Sequence, residues 1–485
     1  MENDHKQAVV IGAGIAGLVC AYRLKTLGLD VSLIESSERV GGVMQTEEVG
    51  GYLIERGPNS SQGTEELMAL VEELGLMDEL AEGDPKAPAY VYFNGQLHAV
   101  PSGAGAFIKS KLLSTGGKLR ILGELFIGKR SAIDEESILS FARRRIGREA
   151  AERMVAPFVS GIYAGDAELI SVQAAFPRLW NLEATYGGLI RGTIAKAREA
   201  RRAKKAASAV LDKAAPTRRR LVSFNHGMGV LPHTLAVKIG EDLVTGIANF
   251  NLRIVTSTAR DEMQATRLRK DPPSTASRFI VEYDQAGNQH QIIADHVIVA
   301  TPARAAASII ESLSPEMSQL LDGIYYPPLA IIYLAYEVAK ITMPLDGFGF
   351  LVPPSEGLNI LGCVWNSSLF AGRAPQGKAL VTVFIGGARK PETARLPDAE
   401  IVAIAHAELQ KALGITGEPN VIGITRWERA IPQYNLGHRD RVERLEALLK
   451  ASPGLHLIGN YLHGVSTGDV IKEADRIARE VAQSS

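Results

Sequence analysis

Two cysteines, Cys20 and Cys363, are all that this 485-residue chain contains. That excludes a disulfide-stapled scaffold and a Cys-rich metal site. No uninterrupted apolar run reaches the roughly 18 residues that a membrane span needs. The longest candidate, 328–345, is broken by Glu337 and Lys340. There is no HExxH, no evident Ser-His-Asp set, and the ten histidines are scattered. No metal site is therefore expected, and no side chain is marked as a nucleophile or base. Net charge is almost absent: 53 basic residues face 54 acidic ones, for a total of −1. Taken alone, that total excludes a polyanion binder. No signal peptide is visible, because the charged start runs straight into an apolar segment, 8–11, that is too short for a signal core. A cytoplasmic protein is expected.

The hydrophobic fraction of 46% and the charged fraction of 22% belong to an ordinary globular chain. Its length suggests about three domains. The charge balance hides a split. Residues 101–220 carry a net +12, and the other 365 residues carry −13.

Residues 8–35 read AVVIGAGIAGLVCAYRLKTLGLDVSLIE. A short β-branched run leads into Gly12, Gly14 and Gly17 in GxGxxG spacing. Helical periodicity follows, then a second strand at 31–34, closed by Glu35. Each glycine has a task. Gly12 allows the strand-to-helix turn, Gly14 allows close approach of a pyrophosphate, and Gly17 allows the helix to pack on the strand. Ala13, Ile15 and Ala16 complete the turn, whose helix N-terminus offers free N–H groups to an anion. Glu35 stands where a carboxylate can accept from ribose hydroxyls, which points to FAD or NAD rather than NADP.

Further along, 65–76 reads as a helix, and 90–93 with 97–100 flank the hairpin turn Asn94-Gly95. Residues 101–130 and 136–153 read as helical. The chain turns β-rich from Arg253. It ends with a strand at 455–458, a loop at 464–468 and a helix at 470–482. That tail sets a second helix N-terminus against a cofactor.

Residues 36–42, SSERVGG, resemble the extended fingerprint of amine-oxidase-type flavoproteins, which selects FAD. More specific segments are FARRRIG at 141–147, PFVSGIYAGD at 157–166 and AAFPRLW at 174–180. LDGFGFLVP at 345–353 and IPQYNLGH at 431–438 belong with them. Together they resemble the FAD-dependent protoporphyrinogen/coproporphyrinogen oxidases of haem biosynthesis. The resemblance implies an α/β fold with a discontinuous Rossmann-type FAD-binding domain, a β-rich α+β substrate domain and a helical domain of membrane-binding type. The expected FAD-binding parts are 1–85, 221–302 and 431–485. The substrate domain would take 86–100 and 303–430, and the helical domain 101–220.

The implied reaction is six-electron oxidation of a porphyrinogen, with dioxygen as acceptor, and the flavin rather than a side chain does the chemistry. The implied FAD contacts extend beyond the first turn to Ser36, Gly42, Gly57, Pro58, Asn59 and Ser60. They also include Ile254 or Val255, Trp427, and Val465, Ser466 and Thr467. For the substrate, Gly165 corresponds to a carbonyl facing the macrocycle, and Leu351 and Phe370 to its apolar walls. Some relatives carry a propionate-binding arginine where this chain has Phe93, and Arg178 is the candidate replacement by motif position. A homodimer is a further family expectation. Another amine-oxidase-type flavin oxidase or desaturase is the alternative reading.

The stretch 101–130 mixes Lys109, Lys111, Lys118 and Arg120 with Phe107, Ile108, Leu122 and Phe126. That mix suits either a helix lying on an anionic membrane or a core-packed helix with a solvated face. Residues 196–220 carry a net +8 without interleaved aromatics. They read as a solvated loop or as a patch facing lipid or a partner, and nucleic acid is not expected as a partner.

Overall fold

The computed structural model describes residues 3–130, 135–207, 221–254 and 279–484. Its centre is a seven-stranded sheet. In spatial order the strands are Leu243–Val244, Val31–Ile34, Asn3–Ile11, Asn288–Val299, Phe279–Gln285 and Ile247–Ile254. Leu455–Leu457 pairs in parallel with the upper part of Asn288–Val299. The strands from Leu243–Val244 to Asn288–Val299 are parallel, and the last two are antiparallel.

Alternation along the central strand sorts its side chains onto two covered faces. Ala8 and Val10 join Leu33, Ile298 and the helices Ile15–Thr26 and Thr467–Ser484. Val9 and Ile11 join Val297, Val299 and the helices Ala303–Ile310, Pro315–Asp322 and His438–Lys450. Both faces are dry, as a β-branched run predicts. Each fully buried Val or Ile contributes on the order of 1.5–3 kcal/mol.

A second seven-stranded sheet runs Asn420–Trp427, Leu329–Glu337, Lys378–Gly386, Ile360–Val364, Gly349–Leu351, Ala89–Phe93 and Gln96–Ala99. Its hairpin turn has Asn94 and Gly95 both at positive φ, as the Asn-Gly pair demands. One face, with Ala330, Ile332 and Leu334, packs under the helix Asp398–Leu413. The other, with Leu329, Ile331 and Tyr333, meets Tyr52, Ile54 and Ala164. A helical unit closes over that side. Its core holds Phe141, Val159, Tyr163 and Ile170, with Tyr434 inserted from the C-terminal segment.

Two expectations change. The helices Ala303–Ile310 and Pro315–Asp322 pack on the first sheet, so the second unit begins after Ile324 rather than at 303. Their alanine-rich apolar faces carry no local mark of which sheet they cover. The basic stretch expected as a loop from 196 is instead part of a helix, Leu189–Ala207. Alanine, lysine and arginine are strong helix formers, and that propensity outweighs the charge repulsion. Residues 208–220 lie outside the described residues.

Candidate functional site

Three parallel strands end level with one another: Ile11 is in register with Val299, and Val299 with Leu457. The chain turns into a helix after each of them, and the starts of Ile15–Thr26 and Thr467–Ser484 gather beyond that sheet edge. In an open α/β sheet that carboxyl edge is where ligands bind.

The three glycines of the first turn do three different things. Gly12 sits at φ +102, and a Cβ there would press on the Ala300 backbone. A Cβ on Gly17 would stand 1.9 Å from the Gly12 carbonyl oxygen, so only glycine allows this helix–strand contact. Gly14 faces open space, where a Cβ would meet nothing within 4 Å, and the helix it starts has no side-chain cap. Its first N–H groups are therefore available to an anion. Gly42, at φ +57, lies against Gly14, and the Gly41 N–H donates to the Ala13 carbonyl at 2.8 Å.

Glu35 closes this cradle. Its Oε2 accepts from the Ala13 N–H at 2.7 Å. Its Oε1 accepts from the Ser37 N–H and hydroxyl, both at 2.8 Å, and from Ser36 Oγ at 3.3 Å. An open, uncapped helix start over Gly14 with a fixed carboxylate at its rim fits a pyrophosphate flanked by a ribose. FAD fits the donors and acceptors present.

The second group of expected FAD residues joins the two sheets. Gly57 passes so close to Val43 that a Cβ would stand 2.1 Å from its carbonyl oxygen. Trp427 Nε1 donates to the Arg56 carbonyl at 2.8 Å. Asn59 Oδ1 accepts from Asn366 Nδ2 at 2.6 Å, and Asn366 Oδ1 accepts from Thr382 Oγ1 at 2.7 Å. Pro58 and Ser60 are half-buried beside them. Asn366 thus rivets the loop to the second sheet, a role that nothing local to the sequence marks. At the other helix start, Val465 packs toward the helical core, Ser466 caps Asp469, and Thr467 begins the helix. The Gly464 N–H donates to the Tyr434 hydroxyl at 2.8 Å.

Ile254 is not brought to this cradle. It ends its strand, and the opposite end, Ile247, donates its N–H to the Glu35 carbonyl at 3.2 Å. Seven residues of strand put about 23 Å between them. The strand reaches the cradle by its other end, because register is set by pairing with Phe279–Gln285. Val255 lies outside the described residues.

Two of the four expected substrate residues, Leu351 and Gly165, lie at one helix, Ala156–Tyr163. Leu351 lies against Gly161, where a Cβ would stand 2.5 Å from Leu351 Cδ2. Gly165 follows the helix and touches Gln433, whose Nε2 donates to the Tyr163 carbonyl at 2.7 Å. Arg178 is exposed in the first turn of Pro177–Tyr186. Phe370 is elsewhere. It is 5% exposed, with the Arg373 guanidinium 5.5 Å from its ring centre. Arg373 donates to Ser223 Oγ at 2.8 Å and the Phe224 carbonyl at 2.9 Å, and lies 3.8 Å from Glu55. Burial pushes the Glu55 carboxyl up to about 7, against the pull of Thr46, the Met228 N–H and Arg373. Over Phe93 sits a cation after all: Arg153 stands 4.0 Å from its ring centre, though it is paired with Glu149. Among the described residues, no three His, Cys, Asp or Glu side chains gather as metal ligands.

Residues 15–482 match the family described as flavin containing amine oxidoreductase. The chain is 32% identical over 485 residues to the chloroplastic protoporphyrinogen oxidase of Nicotiana tabacum, covering 98% of this chain and 85% of that one. It is 31% identical over 496 residues to the coproporphyrinogen III oxidase of Bacillus subtilis (strain 168), covering 98% and 97%. Its fold is similar to a crystal structure from Exiguobacterium sp. 255-15, with a TM-score of 0.77 at 23% identity and full coverage of both chains.

Proposed function

Because the chain belongs to the flavin containing amine oxidoreductase family, we propose that it oxidises a porphyrinogen to the porphyrin in haem biosynthesis, with FAD as cofactor. The observation that carries this is near-full-length likeness to both a protoporphyrinogen and a coproporphyrinogen III oxidase, joined to an FAD-fitting cradle. Bound FAD supplies two-electron oxidation, so the six-electron conversion takes three rounds, with dioxygen as final acceptor and hydrogen peroxide as its product.

The chain's own residues bind and orient. Gly14 and its helix start receive the pyrophosphate, and Glu35 accepts from ribose. The 57–60 loop, held by Trp427 and Asn366, fixes the flavin side. Leu351 and the outer face of Ala156–Tyr163 offer an apolar wall, which suits a flat macrocycle.

The test is anaerobic bleaching of the flavin with coproporphyrinogen and protoporphyrinogen side by side. Loss of the yellow absorbance and a gain in porphyrin fluorescence are expected. No bleaching with either, and peroxide formed from an amine instead, overturns the proposal.

A peripheral contact with the inner face of the cell membrane belongs to the same proposal. No helix among the described residues is long and apolar enough to cross a membrane. Support comes from the surface of the helical unit, where Ile108, Leu119, Leu122 and Phe126 are exposed beside Lys109 and Lys111. Apolar side chains ringed by lysines suit an anionic lipid surface. Homodimerisation is tested by sedimentation of the holoenzyme.

A further inference from the structure

Thr382, Asn366 and Asn59 form a line of three side chains from the second sheet to the 57–60 loop. Thr382 sits between Tyr333 on one neighbouring strand and Val364 on the other, and is 0% exposed. Its hydroxyl donates to Asn366 Oδ1 at 2.7 Å. Asn366, also buried, donates from Nδ2 to Asn59 Oδ1 at 2.6 Å.

The buried end fixes the direction of this line. A threonine hydroxyl has one proton, and burying that proton without an acceptor costs free energy. Among the described residues, Asn366 is the only hydrogen-bond partner of Thr382 Oγ1. The hydroxyl therefore donates, so Asn366 presents its oxygen to Thr382 and its nitrogen to Asn59. Asn59 in turn commits its oxygen to Asn366. Its Nδ2 has no hydrogen-bond partner among the described residues, and the residue is half-buried.

Asn59 stands on the stretch that links the two helix starts at the sheet edge. On one side, Gly57 is pressed against Val43, which follows the Gly42 that touches Gly14. On the other side, Thr64 is pressed against Gly468 in the first turn of Thr467–Ser484, where a Cβ would stand 2.7 Å from Thr64 Cγ2. A dinucleotide with its ribose at Glu35 and its pyrophosphate at Gly14 passes this stretch with its flavin half.

We propose that Asn366, set by Thr382, is a positioning residue that turns the Asn59 amide donor toward the flavin half of FAD and so makes the bound flavin easier to reduce. This rests on FAD in the cradle, not on the identity of the substrate. Reduction adds electron density to the acceptors of the flavin ring. A preset N–H donor therefore favours the reduced form over the oxidised one.

The test measures the midpoint potential of the bound flavin, by dye equilibration, in holoenzyme carrying Asn366→Leu, Thr382→Val or Thr382→Ser. FAD content and melting temperature are recorded for each. Asn366→Leu frees the Asn59 amide to rotate. It should shift the reduction equilibrium roughly 10-fold toward oxidised flavin, about 30 mV downward for a two-electron couple. Thr382→Val keeps the volume and removes the hydroxyl, and should shift the potential the same way by less. Thr382→Ser removes the methyl and keeps the hydroxyl, so its melting temperature should fall while its potential stays native. A native potential in Asn366→Leu or Thr382→Val, or equal shifts in Thr382→Val and Thr382→Ser, overturns the inference. If Asn366→Leu binds no FAD, the two Thr382 variants decide it. Failure of the unsubstituted holoenzyme to bleach with either porphyrinogen strikes the proposed substrate and leaves this measurement standing.

Discussion

Gly14 and Gly17 look alike in sequence, yet they are glycine for opposite reasons. Gly17 is needed by the protein, because a side chain would strike the Gly12 carbonyl. Gly14 is needed by the ligand, because only open space lies above it. Gly17→Ala should therefore destabilise even the FAD-stripped protein, by about 3 kcal/mol. Gly14→Ala should cost the stripped protein no more than about 1 kcal/mol, the preference for glycine at a helix start. It should weaken FAD binding at least roughly 10-fold. Urea unfolding and flavin titration read the two effects separately. Glu55 gives a prediction in pH. Its carboxyl is pushed from the ordinary 4.5 to about 7 in the fold. The folded state thus holds the proton more tightly than the unfolded chain. That contribution is full below pH 4.5 and is lost as pH rises through about 7, and is worth about 3 kcal/mol. Urea midpoints measured from about pH 5 to about 8 should fall more steeply in the native sequence than in Glu55→Gln.

Among the elements, the helical unit depends on one buried ion pair. Arg145 is 0% exposed and Glu124 1%. Glu124 accepts the Leu189 N–H at 2.7 Å and the Ile190 N–H at 3.0 Å, which caps the helix Leu189–Ala207. Arg145 also donates to the carbonyls of Ile127, Gly128 and Gly187. Glu124→Ala would leave the buried Arg145 guanidinium with only Glu183, 3.6 Å away, as its carboxylate, a change that costs about 3 kcal/mol. Hydrogen exchange should then rise first in Leu189–Ala207, while flavin absorbance is retained. None of this is visible in FARRRIG, whose three consecutive arginines carry no local mark of burial. Only the third is fully enclosed. The elements themselves were more legible. Hydrophobic period and turn residues identified the first two parallel strands, the 90–100 hairpin and the final strand, because each depends on neighbours within a few positions.

For the whole molecule, the near-zero net charge is a sum of two opposed parts, 101–220 and the rest, and the basic part exposes Ile108, Leu119, Leu122 and Phe126. Phe126 is 87% exposed. Leaving that much aromatic surface in water is unfavourable unless another phase covers it. Binding to anionic vesicles should fall on Phe126→Glu or Leu122→Glu, and fall again as salt is raised, since screening shortens the reach of Lys109 and Lys111. Co-sedimentation measures both, with neutral vesicles as the comparison. FAD content should not change, because the cradle lies on the first sheet.

The sequence by itself determined the cofactor cradle, because strand, turn, helix and acid follow one another within 28 consecutive residues, 8–35. Their geometry needs only local dihedral preferences and side-chain period. Tertiary structure alone decided which distant residues meet. Asn59 and Asn366 are 307 positions apart, and Arg56 and Trp427 are 371 apart. The same packing buried Phe370 beneath Arg373. Such contacts follow from how two sheets and a helical unit pack together. No local propensity encodes that packing.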